Sequence, residues 1–537
     1  MQGKEGKERR YIVIAGSLMS GLGKGIVSSS IGRILQSRGL KVVPIKFDGY
    51  LNVDCGTMNP YRHGEVFVLD DGTECDMDFG TYERYLRAKL KSINSLTGGK
   101  IFRMVIEKER RGGYLGYDVQ FVPHLTNEIK KWIRNVGEEF DADVVIVEVG
   151  GTVGDLENGY FLEAMRQLGY EEPHVLFIQL TYVPTLVSGE QKTKPTQHAT
   201  RLLANLGIIP RVIISRESEI LRADARKKIS MFCNIPEENI IDDLDLDSIY
   251  ELPLFFEKQN LGDILLSELG FKPRTGDFGQ WPGLVRRIRK PKKTLKIGIT
   301  GKYTQVKDSY VSIKEALVHA GAHINQGVEL IWIETTEIEK GQGSTDVLLD
   351  CDGIIVPGGF GSRGIEGKIA CAKWAREHKL PYFGLCLGLQ IAIIDWARSI
   401  CGLEGANSTE FDPKTPHPVI DLLPEQKKIK DKGATMRLGA HNIELKNGTK
   451  AMDIYEAPVI CERFRHRYEV NPEYIERLEV GNLVFSGKAQ GKNIMQVMEL
   501  KGHPFFMGTQ FHPEFTSSLE KPNPLFLAFM KACAKEK

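Results

Sequence analysis

Several familiar signals are missing from this chain of 537 residues. Its nine cysteines, at positions 55, 75, 233, 351, 371, 386, 401, 461 and 533, form no C-x-x-C pair and sum to an odd number. That speaks against a zinc site and against a disulfide framework. No apolar run of roughly 18 residues is present to span a membrane. The opening MQGKEGKERR lacks the apolar segment of a secretory signal, so a cytoplasmic protein is expected. Lys and Arg total 71 against 70 Asp and Glu. No charge excess therefore points to nucleic acid or a membrane surface, and any bound anion must be met by local clusters. There is no internal repeat.

What the chain does have is an ordinary globular composition, 42% hydrophobic and 26% charged, and length for two or three domains. Through the first half, continuous apolar runs at 42–47, 143–149, 175–183 and 211–216 alternate with helical stretches. Runs without strict alternation read as parallel strands covered on both faces. Around 272–294, KPRTGDFGQWPGLVRRIRKPKKT carries prolines, glycines and a basic run, and reads as a linker. A second alternation starts at Leu295 with LKIGITGKY, VELIWIE, GIIVPGGF and PYFGLCLGLQ. The expectation is an α/β protein of two domains: a P-loop-like parallel-sheet domain over 1–273, a linker at 274–294, and a second α/β domain over 295–537.

Residues 11–25, YIVIAGSLMSGLGKG, look like the start of a phosphate site. A short apolar strand breaks into a glycine-rich loop with one lysine, and a helix follows with Ile26, Val27, Ile31, Ile34 and Leu35 on its core side. In such a loop backbone N–H groups can turn toward an anion at the helix N-terminus, while Lys24 reaches the β- and γ-phosphates. The spacing departs from G-x-x-x-x-G-K-[ST], and Gly25 follows the lysine where a hydroxyl would hold magnesium. Carboxylates elsewhere must do so. DMD, with Asp76 and Asp78, and Glu148 at the end of VVIVEVG supply them, at the strand ends where open α/β sheets bind nucleotides. KTKPTQ, from Lys192 to Gln197, packs two lysines and three polar side chains together and suits a triphosphate, with Lys228 able to add charge.

In the second half GLCLG puts Cys386 on a sharp strand-to-helix turn, which exposes its side chain and aims the following N–H groups at the same spot. A thiol with a pKa near about 8.5 needs a basic partner or a helix end to ionise at neutral pH. His512, in FMGTQFHPEF, is the candidate base, and Glu514 can orient its ring. Gly358 and Gly359, in VPGGFG, can offer a backbone N–H that joins that of Leu387 as an oxyanion hole, a donor worth roughly 3 kcal/mol.

These motifs, P-G-G-F-G at 357–361, G-[IL]-C-L-G-x-Q at 384–390 and Q-F-H-P-E at 510–514, resemble the class I glutaminase family. The resemblance implies hydrolysis of glutamine to glutamate and ammonia through a thioester on Cys386. Carried over by motif, glutamine is held by Gly359, Leu387, Gly388, Leu389 and Gln390, with Glu410 in NSTEF and Arg467 in RHRYEV. Over almost the whole chain GLGKG, NVD-GTMNP, HGEVFVLDDG, YERY, KERRG-YLG-VQ, VEVGGTVGDLE, SGEQKTKPTQH, MFCN and DSIY resemble the CTP synthase family. That implies a ligase that aminates UTP to CTP: ATP phosphorylates the uracil O4, and ammonia from glutamine displaces the phosphate.

The resemblance also assigns roles. Ser20, Gly21, Leu22, Gly23, Lys24 and Gly25 contact ATP phosphates, Ser20 also touching the pyrimidine nucleotide. Lys24 and Lys46 steady the transferring phosphoryl group. Asp78, which also meets ATP, and Glu148 bind magnesium. UTP, and CTP as feedback inhibitor, are held by Asp155, Leu156 and Glu157, by Lys192, Thr193, Lys194, Pro195, Thr196 and Gln197, and by Lys228. His63 and Leu115 line an internal ammonia route. GTP, an allosteric activator, acts near Arg363 and the loop 433–439 that carries Arg437. A homotetramer, a dimer of dimers, is implied, with filaments a further assembly to test. Three places depart from the family pattern: Gly49 stands where proline is usual, Cys75 replaces threonine, and ENGYFLEA replaces a serine-leucine-proline-phenylalanine run. Two rivals are an amidoligase acting on a carboxylate, against which KTKPTQ and GGTVGD argue, and a nucleotide-sensing assembly protein without catalysis, against which the intact Cys386, His512, Glu514, Lys24 and Glu148 argue.

Overall fold

The structure, a computed structural model, describes residues 7–17, 19–58, 64–301, 307–359, 361–422 and 436–535. The chain forms two compact units: Met1–Cys55 with Thr81–Val285, and Gly56–Gly80 with Arg286–Lys537. Among the described residues no helix is long and apolar enough to cross a membrane.

Seven parallel strands build the sheet of the first unit, in the order Ser95–Thr97, Val42–Asp48, Val144–Val149, Arg10–Gly16, Val175–Tyr182, Val212–Glu217 and Ile240–Leu244. Both faces of the central strand are buried, Ile12 and Ile14 on one side, Tyr11 and Val13 on the other. That is why these segments read as unbroken apolar runs. Ile31, Ile34 and Leu35 of the helix Lys24–Ser37 share one core with Ile12, Ile14 and Ile146. All six residues of Val144–Val149 are buried, including Glu148, so its carboxylate must be satisfied inside the fold.

Among the described residues nine strands form the sheet of the second unit, in the order Gln326–Glu334, Lys293–Gly301, Gly353–Val356, Tyr382–Leu385, Phe506–Thr509, Met495–Leu500, Leu483–Ala489, Arg437–Leu445 and Val459–His466. The first five run parallel, and every later junction is antiparallel. The parallel part carries the sharp turns that a site needs. The antiparallel part contributes a second wall.

Two features differ from the sequence reading. The stretch read as a linker contains the helix Trp281–Arg289. Trp281, Leu284 and Val285 fall on one buried side, and Pro282 and Gly283, which read as breakers, sit in the first turn where proline is tolerated. Trp281 donates its indole N–H to the Tyr250 carbonyl at 2.8 Å, packs against Tyr85 and Tyr250, and lies under the Arg33 guanidinium. The second difference is that residues 56–80, placed with the first domain from sequence, belong to the second unit.

Candidate active site

The strand Tyr382–Leu385 stops at Cys386, and the helix Leu387–Ser399 starts at the next residue. Cys386 has φ +51° and ψ −97°, a strained backbone for a residue with a side chain and the mark of a nucleophile elbow. Its N–H donates to the Thr509 carbonyl at 2.6 Å, which clamps the turn to the neighbouring strand. The thiol stands in a narrow cleft with Gly358, Gly359, His512 and Glu514. A Cβ built on Gly359 would touch the Leu387 side chain at 3.7 Å, so the two expected oxyanion donors are neighbours.

His512 Nδ1 lies 2.7 Å from Glu514 Oε1, which makes Nδ1 the donor and leaves Nε2 as the basic nitrogen. Nε2 is buried with no hydrogen-bond partner among the described residues. Burial works against the imidazolium, but the Glu514 carboxylate and Cys386 outweigh it and raise His512 to about 10. Gly358 is required by this packing: a Cβ there would come within 2.9 Å of His512 Cε1 and 3.5 Å of Cys386 Cβ. The Phe515 ring stacks on the imidazole at 5.0 Å.

Segment 64–75 closes the cleft. Glu65 and Val66 line it, and Glu65 accepts hydrogen bonds from the N–H and the hydroxyl of Ser312. The strands Phe67–Val68 and Glu74–Cys75 pair in a hairpin whose acidic residues meet two arginines of Val459–His466. Arg463 Nε donates to Asp70 Oδ1 at 2.5 Å, and Arg465 Nε donates to Glu74 Oε1 at 2.7 Å. Both arginines also reach the catalytic pair: the Arg463 carbonyl accepts the His512 N–H at 2.8 Å, and the Arg465 carbonyl lies 3.7 Å from Cys386 Sγ. Phe67 packs edge-on against Phe515 at 5.0 Å. The sequence reading missed Glu65, Asp70, Glu74, Arg463 and Arg465 as parts of this site, although HGEVFVLDDG was visible as a family run.

Of the expected glutamine contacts, Leu387, Gly388, Leu389 and Gln390 form the first turn after Cys386. Gln390 Nε2 donates to the Tyr468 carbonyl at 3.0 Å. Glu410 accepts the Gly361 N–H at 3.0 Å. Burial pushes the Tyr468 hydroxyl up, with Glu410 adding to the effect and Arg467 opposing it. Arg437 donates to the buried Glu469 at 3.4 Å and lies over the Phe464 ring. Arg363 is exposed on a turn. His63 and residues 433–435 lie outside the described residues.

In the first unit Gly21 and Gly23 adopt φ of +79° and +82°, and the helix starts at Lys24. Lys24 Nζ donates to the Gly151 carbonyl at 2.9 Å, and the Val153 N–H reaches the Gly16 carbonyl, so the loop of Ser20 to Gly25 meets the GGTVGD loop. A Cβ on Gly16 would stand 2.7 Å from Lys24 Nζ. Glu148 Oε2 accepts from Ser28 at 3.0 Å and from Tyr82 at 2.5 Å, and Lys46 is in register beside it. Asp78, which falls in the 56–80 stretch of the second unit, opens the helix Asp78–Leu86 and gives its N–H to Asp76. Among the described residues no group of three His, Cys, Asp or Glu could hold a metal. Magnesium bound through phosphates needs only one or two carboxylates, and the carboxylates of Asp78 and Glu148 are each donors of the right kind.

Asp155, Leu156 and Glu157 are exposed at the start of the short helical turn Leu156–Asn158, with Glu157 against Gly49. Lys192 pairs with Glu190 at 2.8 Å, and Lys228 pairs with Asp224 at 3.6 Å. Thr196 and Gln197, expected to hold the pyrimidine nucleotide, are buried. Thr196 Oγ1 is 3.1 Å from Thr181 Oγ1, and Gln197 Nε2 donates to Thr193 at 3.0 Å. The helix Lys194–Asn205 has Pro195 in its first turn, and its buried side carries 196, 197 and 200, which leaves Lys194 outward. Leu115 is 88% exposed on a turn with φ +55°.

Residues 10–271 match the family described as CTP synthase N-terminus, and residues 305–532 match class I glutamine amidotransferase. A CTP synthase of Archaeoglobus fulgidus is 49% identical over 528 residues, 98% of either chain. One from Symbiobacterium thermophilum is 50% identical over 531 residues, covering 97% of this chain and 98% of that one. Among solved structures, the Trypanosoma brucei CTPS glutaminase domain with bound acivicin is 35% identical with a TM-score of 0.43, covering 45% of this chain and 95% of its own. With a strained thiol elbow in one half, a lysine-bearing glycine loop in the other, and relatives matched over nearly their full length, the chain belongs to the CTP synthase family.

Proposed function

We propose that this chain makes CTP from UTP, using ATP to activate the uracil O4 and glutamine as the nitrogen source. Cys386 gives its proton to His512 Nε2 and attacks the side-chain amide carbon of glutamine. The oxyanion faces the N–H groups of Gly359 and Leu387, and His512 returns the proton to the departing ammonia while Glu514 holds the ring. Water then releases glutamate. Gln390, Glu410 and Arg467 hold the amino acid.

In the first unit Ser20, Gly21, Leu22, Gly23, Lys24 and Gly25 hold the ATP phosphates, and Lys24 and Lys46 stabilise charge on the phosphoryl group as it moves to UTP O4. Ammonia adds at C4 and phosphate leaves. Asp78 and Glu148 would hold magnesium, which screens phosphate charge. UTP, or CTP as inhibitor, is gripped by Lys192, Lys194, Lys228 and the loop of Asp155 to Glu157. Transit of ammonia past His63 and Leu115, activation by GTP near Arg363 and Arg437, and a tetramer complete the reading.

The observation that carries it is the buried Cys386, His512 and Glu514 set in a chain that also places Lys24 at the end of a parallel sheet. Absorbance at the wavelengths that separate UTP from CTP, with ATP, magnesium and either glutamine or ammonium, tests it. Both nitrogen sources should support conversion, and Cys386→Ala should lose only the glutamine-dependent rate. Equal loss of both rates would end the two-site reading.

A further inference from the structure

We propose that Gln510 is a catalytic residue whose side-chain N–H stabilises the Cys386 thiolate, an inference that rests on Cys386 being the nucleophile. Gln510 is fully buried just beyond the strand Phe506–Thr509, and its Nε2 lies 3.4 Å from Cys386 Sγ.

The shape of an amide does not say which end is nitrogen, but its neighbours do. The Tyr468 carbonyl can only accept, so Gln390 must present Nε2 to it. The same Nε2 lies 3.2 Å from Gln510 Oε1. The oxygen of Gln510 is thereby used, and its NH2 group faces the sulfur. The backbone is fixed as well: Gln510 N–H donates to the Gln496 carbonyl at 2.9 Å, and Gln496 Nε2 donates to the buried Glu469 at 3.0 Å. The donor is therefore in place before any substrate arrives.

A thiolate accepts a hydrogen bond more strongly than a thiol, so a fixed donor favours ionisation. The Sγ–H proton passes to His512 Nε2, the sulfur lone pair forms the bond to the amide carbon, and the carbonyl pair moves to oxygen. Gln510 keeps its own protons throughout. When water cleaves the thioester, the same N–H meets the departing thiolate and assists its release.

The test compares wild type with Gln510→Glu, which keeps the shape and the Gln390 contact but loses the donor when ionised, and with Gln510→Leu. Alkylation of Cys386 by iodoacetamide is followed against pH at the Cys386 peptide, because Cys461 is exposed and reacts too. In both variants the inflection should move up by about one pH unit, and glutamine hydrolysis should fall about tenfold in kcat. CTP formation from ammonia should be unchanged, and a thermal melt reports folding of the second unit. If Gln510→Leu does not fold, Gln510→Glu decides alone. An inflection unmoved in a folded variant overturns the proposal. If Cys386→Ala keeps its glutamine-dependent rate, the nucleophile assignment fails instead.

Discussion

Glu514 and Cys386 raise His512 to about 10, so the proton it takes from Cys386 is held on the ring through neutral pH, and the rise has a sign for stability. Its folded value lies above the ordinary value of about 6.5. The interaction with Glu514 and Cys386 therefore stabilises the fold fully below about pH 6.5 and is lost as pH rises through about 10. In Glu514→Gln the carboxylate that raises His512 is gone. Between about pH 8 and 10 the thermal midpoint of wild type should fall more steeply than that of Glu514→Gln, as calorimetry at stepped pH would read. Parallel slopes would remove Glu514 as the source of the rise. Cys386, His512 and Glu514 were legible because each motif pairs a reactive side chain with small or turn-forming neighbours, a pattern that is local in the chain. Gln510 was not, since a glutamine beside a strand reads as packing until the sulfur is placed next to it.

The hairpin at 64–75 is the element that joins remote sequence to the thiol site. The Arg463 side chain is 3% exposed and that of Asp70 is 27% exposed, so the pair is only partly screened. Asp70→Ala should destabilise the second unit by about 2 kcal/mol, below the full cost of breaking a buried pair because of that exposure. Since the Arg463 carbonyl also anchors the His512 N–H, glutamine hydrolysis should drop about tenfold while the ammonia-dependent rate is kept. Denaturant melts and the two rate assays read this out, and an unchanged glutaminase rate would make the hairpin a passive wall. Asp70 and Glu74 look like solvated charges in sequence because their arginines come nearly four hundred residues later. The parallel strands were legible as apolar runs such as VVIVEV. Short antiparallel strands such as Leu483–Ala489 carry serine, glycine and lysine, and do not stand out from loops. The helix Trp281–Arg289 was hidden by its own proline and glycine.

At the scale of the whole molecule two chemistries should be separable by substitution. Lys24→Ala should lower CTP formation from both glutamine and ammonia by roughly 10³-fold and spare basal glutaminase activity, the reverse of Cys386→Ala. Glutamate release and UTP conversion, measured on the same samples, distinguish the two. A Lys24→Ala enzyme that still converts UTP with ammonia would remove the lysine from the phosphoryl step.

The chain leaves the first unit at Gly56, contributes the hairpin to the second, and returns at Thr81. During synthesis Asp70 emerges 393 residues before Arg463. At roughly 5 to 20 residues per second, its acidic tip waits about 20 to 80 s for the guanidinium that will anchor it. A ribosome that stalls in the second half therefore leaves a nascent chain with an undocked strand pair, a ready target for chaperones and proteases.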